Sequence, residues 1–139
     1  MIVLDTNVIS ELMHSEPHPV VFDWMAAQPR KTLYTSAIVV AEIQFGIALM
    51  RESKKKAALQ TAANGLFDED MDNRVLSFDE DCAAHYAKLV SQRRRAGHPL
   101  VGFDGLIAAT AFAAGASLAT RNISDFEGCG LTLINPWET

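Results

Sequence analysis

The sequence predicts an α/β protein in which helices cover a parallel β-sheet. Short apolar runs alternate with longer amphipathic segments, beginning with Ile2-Val3-Leu4 and the helical pattern that follows it. Short, continuous apolar runs are typical of strands that are buried on both faces of a parallel sheet. A chain of 139 residues with 49% hydrophobic and 21% charged residues is expected to form one globular domain, residues 1–139.

The apolar patterning predicts five strands, separated by helices. The strands are expected at residues 2–4, 32–35, 74–78, 117–120 and 131–134. Apolar residues at helical spacing predict helices at residues 6–13, 20–27, 37–50, 52–70, 80–95 and 104–116, the fourth with a possible break at 64–65.

Capping residues support several of these helix boundaries. Ser36 is a favoured N-cap for the helix at 37–50, and Ser77 to Glu80 fit a capping box. Gly97 suits the position after a helix end, where Arg93-Arg94-Arg95 complement the helix dipole. Asp68-Glu69-Asp70 is interpreted as part of a solvated acidic loop, since it lacks the glycine and glutamate spacing of an EF-hand.

Composition excludes several classes of protein. The net charge of −5 argues against a non-specific nucleic-acid binder but suits a protein that gathers carboxylates at a metal site. Cys82 and Cys129 form no CxxC motif, which fits a reducing cytoplasm. No signal peptide is expected, and the longest apolar stretch, 105–119, is shorter than the ~20 residues of a membrane span.

Three acidic residues occupy unusual positions in this pattern. Asp5 directly follows the first strand, at the sheet edge where open α/β folds place their ligands. Glu42 lies on an apolar helix whose inner face we assign to Ile38, Ala41, Phe45 and Leu49, and Asp104 opens a helix that is apolar on all sides. The simpler interpretations are helix caps for Asp5 and Asp104, and for Glu42 either a partly exposed side chain at the edge of the apolar stripe or a structural ion pair.

Together these carboxylates would repel one another unless a cation lay between them. Oxygen ligands favour Mg²⁺ or Mn²⁺ over zinc, and Mg²⁺ commonly bridges carboxylates to a phosphate. The expected chemistry is metal-assisted hydrolysis of a phosphodiester, which needs no side-chain nucleophile. The chain contains no GxSxG elbow, P-loop or dinucleotide fingerprint, and no zinc-ligand spacing among His14, His18, His85 and His98.

A set of short motifs runs along almost the whole chain. In order, they are Ile2 to Glu11, Ala41-Glu42 with Gly46, Phe103-Asp104 with Ile107-Ala108-Ala109, Thr120-Arg121-Asn122 with Asp125-Phe126, and Asn135-Pro136-Trp137. Together they resemble the motifs of the PIN-domain ribonucleases, and among these the VapC- and FitB-like toxins of prokaryotic toxin–antitoxin modules. Each motif alone is weak, whereas the ordered set is specific.

The resemblance implies a three-layer fold with a central five-stranded parallel sheet in the order 3-2-1-4-5. It implies an endoribonuclease that depends on Mg²⁺ or Mn²⁺, with Asp5, Glu42 and Asp104 as catalytic, metal-binding carboxylates and Thr6 as a supporting residue. It also implies a homodimer and a cognate antitoxin that covers the active-site groove.

One position departs from the family pattern. Many members carry Asp where this chain has Asn122, so one negative charge is missing, and Asp125 is the candidate to replace it. Two basic clusters are candidates for RNA phosphate contacts, although a solvated helix end is the simpler interpretation of each: Lys54, Lys55 and Lys56, and Arg93, Arg94 and Arg95.

Two other functions are weighed against the nuclease. A phosphatase or phosphotransfer domain would use Asp5 as the phospho-acceptor, but position 7 is Asn where such phosphatases carry a second Asp. A nuclease-like fold retained only for binding would not need its acidic trio intact. The sequence does not identify the RNA that is cut, because contacts to phosphate carry no base information. It also does not exclude DNA as a substrate.

Overall fold

The short apolar runs form the strands of one parallel sheet. A computed structural model describes residues 1–139 and contains β1 (Ile2–Leu4), β2 (Leu33–Ser36), β3 (Val75–Leu76), β4 (Ser117–Ala119) and β5 (Leu133–Ile134). Their order across the sheet is β3-β2-β1-β4-β5, and every neighbouring pair is parallel. The expected fold class and strand order are therefore confirmed, although β3 and β5 are shorter than predicted.

Seven helices connect and cover the strands. They are α1 (Thr6–Leu12), α2 (Pro19–Ala27), α3 (Ala37–Ala48), α4 (Lys54–Gly65), α5 (Glu80–Arg95), α6 (Asp104–Ala113) and α7 (Ile123–Phe126). Two 3₁₀ turns, Arg30–Thr32 and Pro136–Glu138, precede β2 and follow β5. None of the helices combines the length and apolar character needed to cross a membrane.

The core lies on both sides of the central strand β1. Val3 and Leu4 have no exposed surface, and helices α1, α3 and α6 contribute the aliphatic side chains around them, including Ile9, Val39 and Ile107. The small residues of α6 allow α5 to approach closely, because a Cβ atom at Gly105 would lie 2.8 Å from Cγ2 of Val90. Helix α6, which is apolar on all sides, therefore packs against both α5 and the sheet, and Asp104 is its first residue.

The inner face assigned to α3 was wrong. Phe45 and Leu49 are 62% and 71% exposed, whereas Val39, Ile43 and Ile47 are buried. Both stripes of this helix are apolar, so the spacing alone does not decide which one faces the sheet. Ser36 does cap α3 as predicted, because its hydroxyl oxygen accepts a hydrogen bond from the Val39 amide.

Two smaller expectations also need correction. Asp79, not Ser77, caps α5, because its carboxylate accepts a hydrogen bond from the Cys82 amide at 3.0 Å. That bond holds the pKa of Asp79 below its usual value. The acidic segment 68–70 is not a loop but agrees with the helix predicted over 52–70: it extends α4 as a π-helical turn, Leu66–Asp70, and the Met71 amide donates to the Leu66 carbonyl at its end.

Candidate active site

Asp5 lies at the carboxyl end of the central strand and is held by three hydrogen bonds. Its Oδ1 accepts from the Thr6 amide at 2.7 Å, and its Oδ2 accepts from the Thr120 hydroxyl at 2.7 Å and the Asn7 amide group at 3.3 Å. The residue is only 4% exposed. Asp5 is thus the N-cap of α1 and, at the same time, a carboxylate fixed at the sheet edge, so the two interpretations are compatible.

The partners of Asp5 reach it because neighbouring parallel strands end at the same edge. The Asp5 amide donates to the Ala119 carbonyl at 2.9 Å, which continues the pairing of β1 with β4 and brings Thr120 alongside. Asn7 bonds to the Thr120 hydroxyl at 3.4 Å and to the Arg121 amide at 3.1 Å. Sequence reasoning assigned no role to Asn7 or Thr120, although both follow strands that were predicted to end beside each other.

Glu42 reaches this edge from α3 through Thr6. The Thr6 hydroxyl donates to Oε1 of Glu42 at 2.9 Å, and Thr6 is the first residue of α1, next to Asp5. Glu42 is half-buried. No ion pair includes it, so a structural ion pair does not account for its position.

Asp104 faces the other carboxylates without a hydrogen bond to compensate its charge. It is the first residue of α6, whose N-cap is Phe103, and the cap position makes no side-chain hydrogen bond. Burial raises the pKa of Asp104 to about 6, and the charges of Asp5, Asp125 and Glu42 add to the effect. Burial also raises the pKa of Asp5, more than its hydrogen bonds lower it, and the charge of Asp125 raises it further.

The fourth negative charge at this edge comes from Asp125 and not from position 122. Asp125 lies in α7, which begins just after Thr120, and its charge acts on both Asp5 and Asp104. Asn122 is exposed, and its backbone N–H group donates to the Thr120 hydroxyl oxygen at 3.1 Å. Asp104 in α6 is therefore affected by the charges of three other carboxylates at this edge of the sheet: Asp5 directly after β1, Glu42 in α3 and Asp125 in α7.

This arrangement coincides with a family match along most of the chain. The sequence profile described as the PIN domain matches residues 2–127. The chain belongs to the PIN-domain family. This PIN-domain chain is 49% identical over 138 residues to the VapC ribonuclease Y4jK of Sinorhizobium fredii, an alignment that spans 99% of each protein.

Two further comparisons point to the same group. The chain is 38% identical to Toxin FitB of Neisseria gonorrhoeae over 137 residues, 99% of both proteins. It also superposes on a chain in the structure of FitAB bound to the IR36 DNA fragment, with a TM-score of 0.91 and 37% identity over 100% of this chain and 97% of that one.

The donor set of this PIN domain suits a hydrated divalent ion. No three Asp, Glu, His or Cys side chains are arranged closely enough to hold one metal ion directly. The four carboxylates nevertheless interact electrostatically, and they offer only hard oxygen ligands. Because Mg²⁺ retains several of its waters in protein sites, carboxylates that reach it partly through water fit this ion.

The basic clusters differ in their availability. Lys54 and Lys55 are exposed, whereas Lys56 pairs with Glu52 at 2.7 Å and donates to the Met50 carbonyl. Arg94 and Arg95 are exposed, but Arg93 is buried.

Arg93 is therefore removed from the candidate phosphate contacts, because its guanidinium already binds backbone carbonyls. Arg121, which the sequence reasoning did not single out, is exposed, and its guanidinium lies 5.1 Å from the centre of the Trp137 ring.

The raised pKa of Asp104 predicts how stability changes with pH in the metal-free protein. The folded protein holds this proton more tightly than the unfolded chain, so the stabilisation is complete below about pH 4 and is lost as pH rises through about 6. Asp104→Asn cannot lose this proton. Between about pH 4 and 6, its free energy of unfolding should therefore rise by about 1 kcal/mol relative to that of the wild type, after allowance for solvent screening. Urea unfolding from pH 4 to 7 measures this difference.

Asp68→Asn serves as the control, since it removes the same charge from an exposed position in the π-helical turn. Its unfolding energy should follow that of the wild type at every pH. Parallel curves for the wild type and Asp104→Asn would contradict the raised pKa of Asp104, and with it the burial of this carboxylate beside other negative charges.

Proposed function

We propose that this PIN-domain protein is an endoribonuclease toxin of a toxin–antitoxin module, which hydrolyses RNA phosphodiester bonds with water activated by Mg²⁺ or Mn²⁺. The observation that carries the proposal is the gathering of carboxylates at the carboxyl edge of the sheet, where the charges of Asp5, Glu42 and Asp125 all act on Asp104. Relatives that match nearly the whole chain are named as a ribonuclease and as a toxin, which supports the same activity.

The carboxylates that would hold the ion differ in how many hydrogen bonds fix them in place. Asp5 is fixed by three hydrogen bonds, and Glu42 is fixed by one, from Thr6. Asp104 has no such bond and is free to turn towards an ion or its water. When bound, the ion would lower the pKa of water and neutralise charge on the phosphate. In its absence the same residues repel one another, so this edge is prepared for positive charge.

The substrate proposal is limited to RNA phosphates. Lys54, Lys55, Arg94 and Arg95 are exposed cations that we propose as phosphate contacts, although the chain as a whole carries a net charge of −5. Such contacts position a nucleic acid and do not read its bases. Sequence preference would have to come from other side chains around the site.

The proposed partners are a cognate antitoxin and a second copy of the chain. FitAB, the complex of a similar toxin, is solved on a DNA fragment. This chain has exposed apolar side chains available for such contacts, among them Phe45 and Leu49 on α3 and Phe22 on α2.

The burial of Asp5 argues against a phosphotransfer domain. A phospho-acceptor must present a free carboxylate oxygen to the incoming phosphorus. Asp5 is 4% exposed, and both of its oxygens accept hydrogen bonds from Thr6, Asn7 and Thr120. These contacts favour a role as a fixed ligand over a role as a nucleophile.

The first test of the proposal removes one carboxylate at a time. Asp5→Asn and Asp104→Asn should each lower metal-dependent RNA cleavage by at least about a hundredfold, because each removes a charged ligand. A fluorogenic RNA measures the rate, and far-ultraviolet circular dichroism establishes that the variants fold. Asp68→Asn, which lies outside the site, should cleave at the wild-type rate. Full activity in either variant would exclude that residue from the site, and unfolding of both would show that their role is structural.

The second test concerns ion binding by Glu42. Glu42→Gln keeps an oxygen that can accept the Thr6 hydrogen bond but loses the negative charge, so Mg²⁺ affinity should fall about tenfold. Isothermal titration calorimetry measures this affinity, with exposed Glu69→Gln as the charge-matched control. Equal affinities for the wild type and Glu42→Gln would exclude Glu42 from the ion site.

A further inference from the structure

Arg93 is a buried cation without an acidic partner. It lies in the last turn of α5 with 9% of its surface exposed, and no ion pair includes it. Its donors instead reach three carbonyl oxygens and a thiol: His98 at 2.7 Å, Glu127 at 2.6 Å, Asp125 at 3.1 Å and Sγ of Cys129 at 3.2 Å. Burying a charge is costly unless it is hydrogen-bonded, so these contacts account for its burial.

The three carbonyls belong to two segments that carry site residues. His98 lies in the connection 96–103, which ends at Asp104, the first residue of α6. Asp125 and Glu127 lie in and directly after α7, a helix of four residues. The Arg93 guanidinium therefore connects the segment that precedes Asp104 with the segment that contains Asp125.

Neither segment has much secondary structure of its own. The N-cap position of α7 makes no side-chain hydrogen bond, and neither does that of α6. The connection 96–103 contains Gly97 and Gly102 at positive φ and exposes Val101 and Phe103. Segments of this kind open easily, so a fixed donor behind them matters more than it would behind a regular helix.

We propose that Arg93 is a positioning residue for the carboxylate site, because its guanidinium holds the segments of Asp104 and Asp125 at a fixed separation. This inference rests on the function proposed above. Arg93 does not touch the substrate or the ion; it acts through the backbone that carries their ligands. Groups that orient metal ligands in this way typically change metal affinity ten- to a hundredfold when they are mutated.

The planar guanidinium is required for this role, and positive charge alone is not sufficient. Its nitrogens point in fixed directions towards the carbonyls of His98, Asp125 and Glu127. A lysine ammonium is a single point on a flexible stem and cannot span all three. Arg93→Lys should therefore keep the positive charge but no longer hold the two segments at a fixed separation.

The experiment compares Arg93→Lys and Arg93→Met with the wild type, and with Lys88→Met as the control. Lys88 is exposed on the same helix and forms no ion pair. Calorimetry should show Mg²⁺ bound about tenfold more weakly by both Arg93 variants and equally by Lys88→Met. The Mg²⁺ concentration at half-maximal RNA cleavage should rise by the same factor, while kcat at saturating Mg²⁺ changes far less.

Other outcomes overturn the proposal. Arg93 variants that lose thermal stability yet bind Mg²⁺ like the wild type would show a purely structural role. If Arg93→Met fails to fold, Arg93→Lys is measured in sucrose, which favours the folded state. Failure of both to fold there would make Arg93 a requirement of the fold and overturn the positioning role.

The design also separates this inference from the proposed function. A wild-type protein that binds Mg²⁺ and cleaves RNA, with Arg93 variants that bind Mg²⁺ equally well, contradicts the inference about Arg93 alone. A wild-type protein that binds no divalent ion contradicts both.

Discussion

Repulsion between carboxylates at the end of β1 is the constraint on which this structure depends. Asp5 is fixed there by the strand pairing and by hydrogen bonds, and helices α3, α6 and α7 bring three more acidic side chains towards it. A fold that only needed stability would place neutral or basic groups at this edge. Burial and these neighbouring charges together raise the pKa of Asp104 to about 6, so a negative charge at this edge is unfavourable, and the proposed cation would relieve it.

The rest of the molecule can be understood as support for that arrangement. Parallel strands bring Thr120 beside Asp5, and the apolar helix α6 carries Asp104 to the same edge. The hydrogen bonds from Thr120, Thr6 and Asn7 partly offset the effect of burial on the pKa of Asp5, which nevertheless stays above its usual value. Asp104 makes no such bonds, so its negative charge lowers the stability of the fold, and the proposed function requires that charge.

Much of the fold could be predicted because its signals are local. Short apolar runs identified the strands, and Ser36 marked a helix start, whereas the strand order came from the family resemblance. The inner face of α3 could not be read because both of its stripes are apolar, and α7, at four residues, is too short to show periodicity.

The acidic residues of the candidate site were identified from their positions and Thr6 from the family resemblance, but the other partners of Asp5, Asn7 and Thr120, were not. Thr120 bonds to Asp5 across 115 positions of sequence, and no local pattern encodes such a contact. Arg93 was misassigned for a similar reason, since an arginine in the last turn of a helix is normally solvated. Its burial depends on carbonyls from two distant segments.

The most direct test of this account is anomalous diffraction from crystals soaked in Mn²⁺. The account predicts one or two manganese peaks at the carboxyl end of β1, with oxygens of Asp5 and Asp104 in the ligand shell or bonded to its waters. A map without a peak there, or with manganese bound only elsewhere on the surface, would contradict the claim that these carboxylates share an ion.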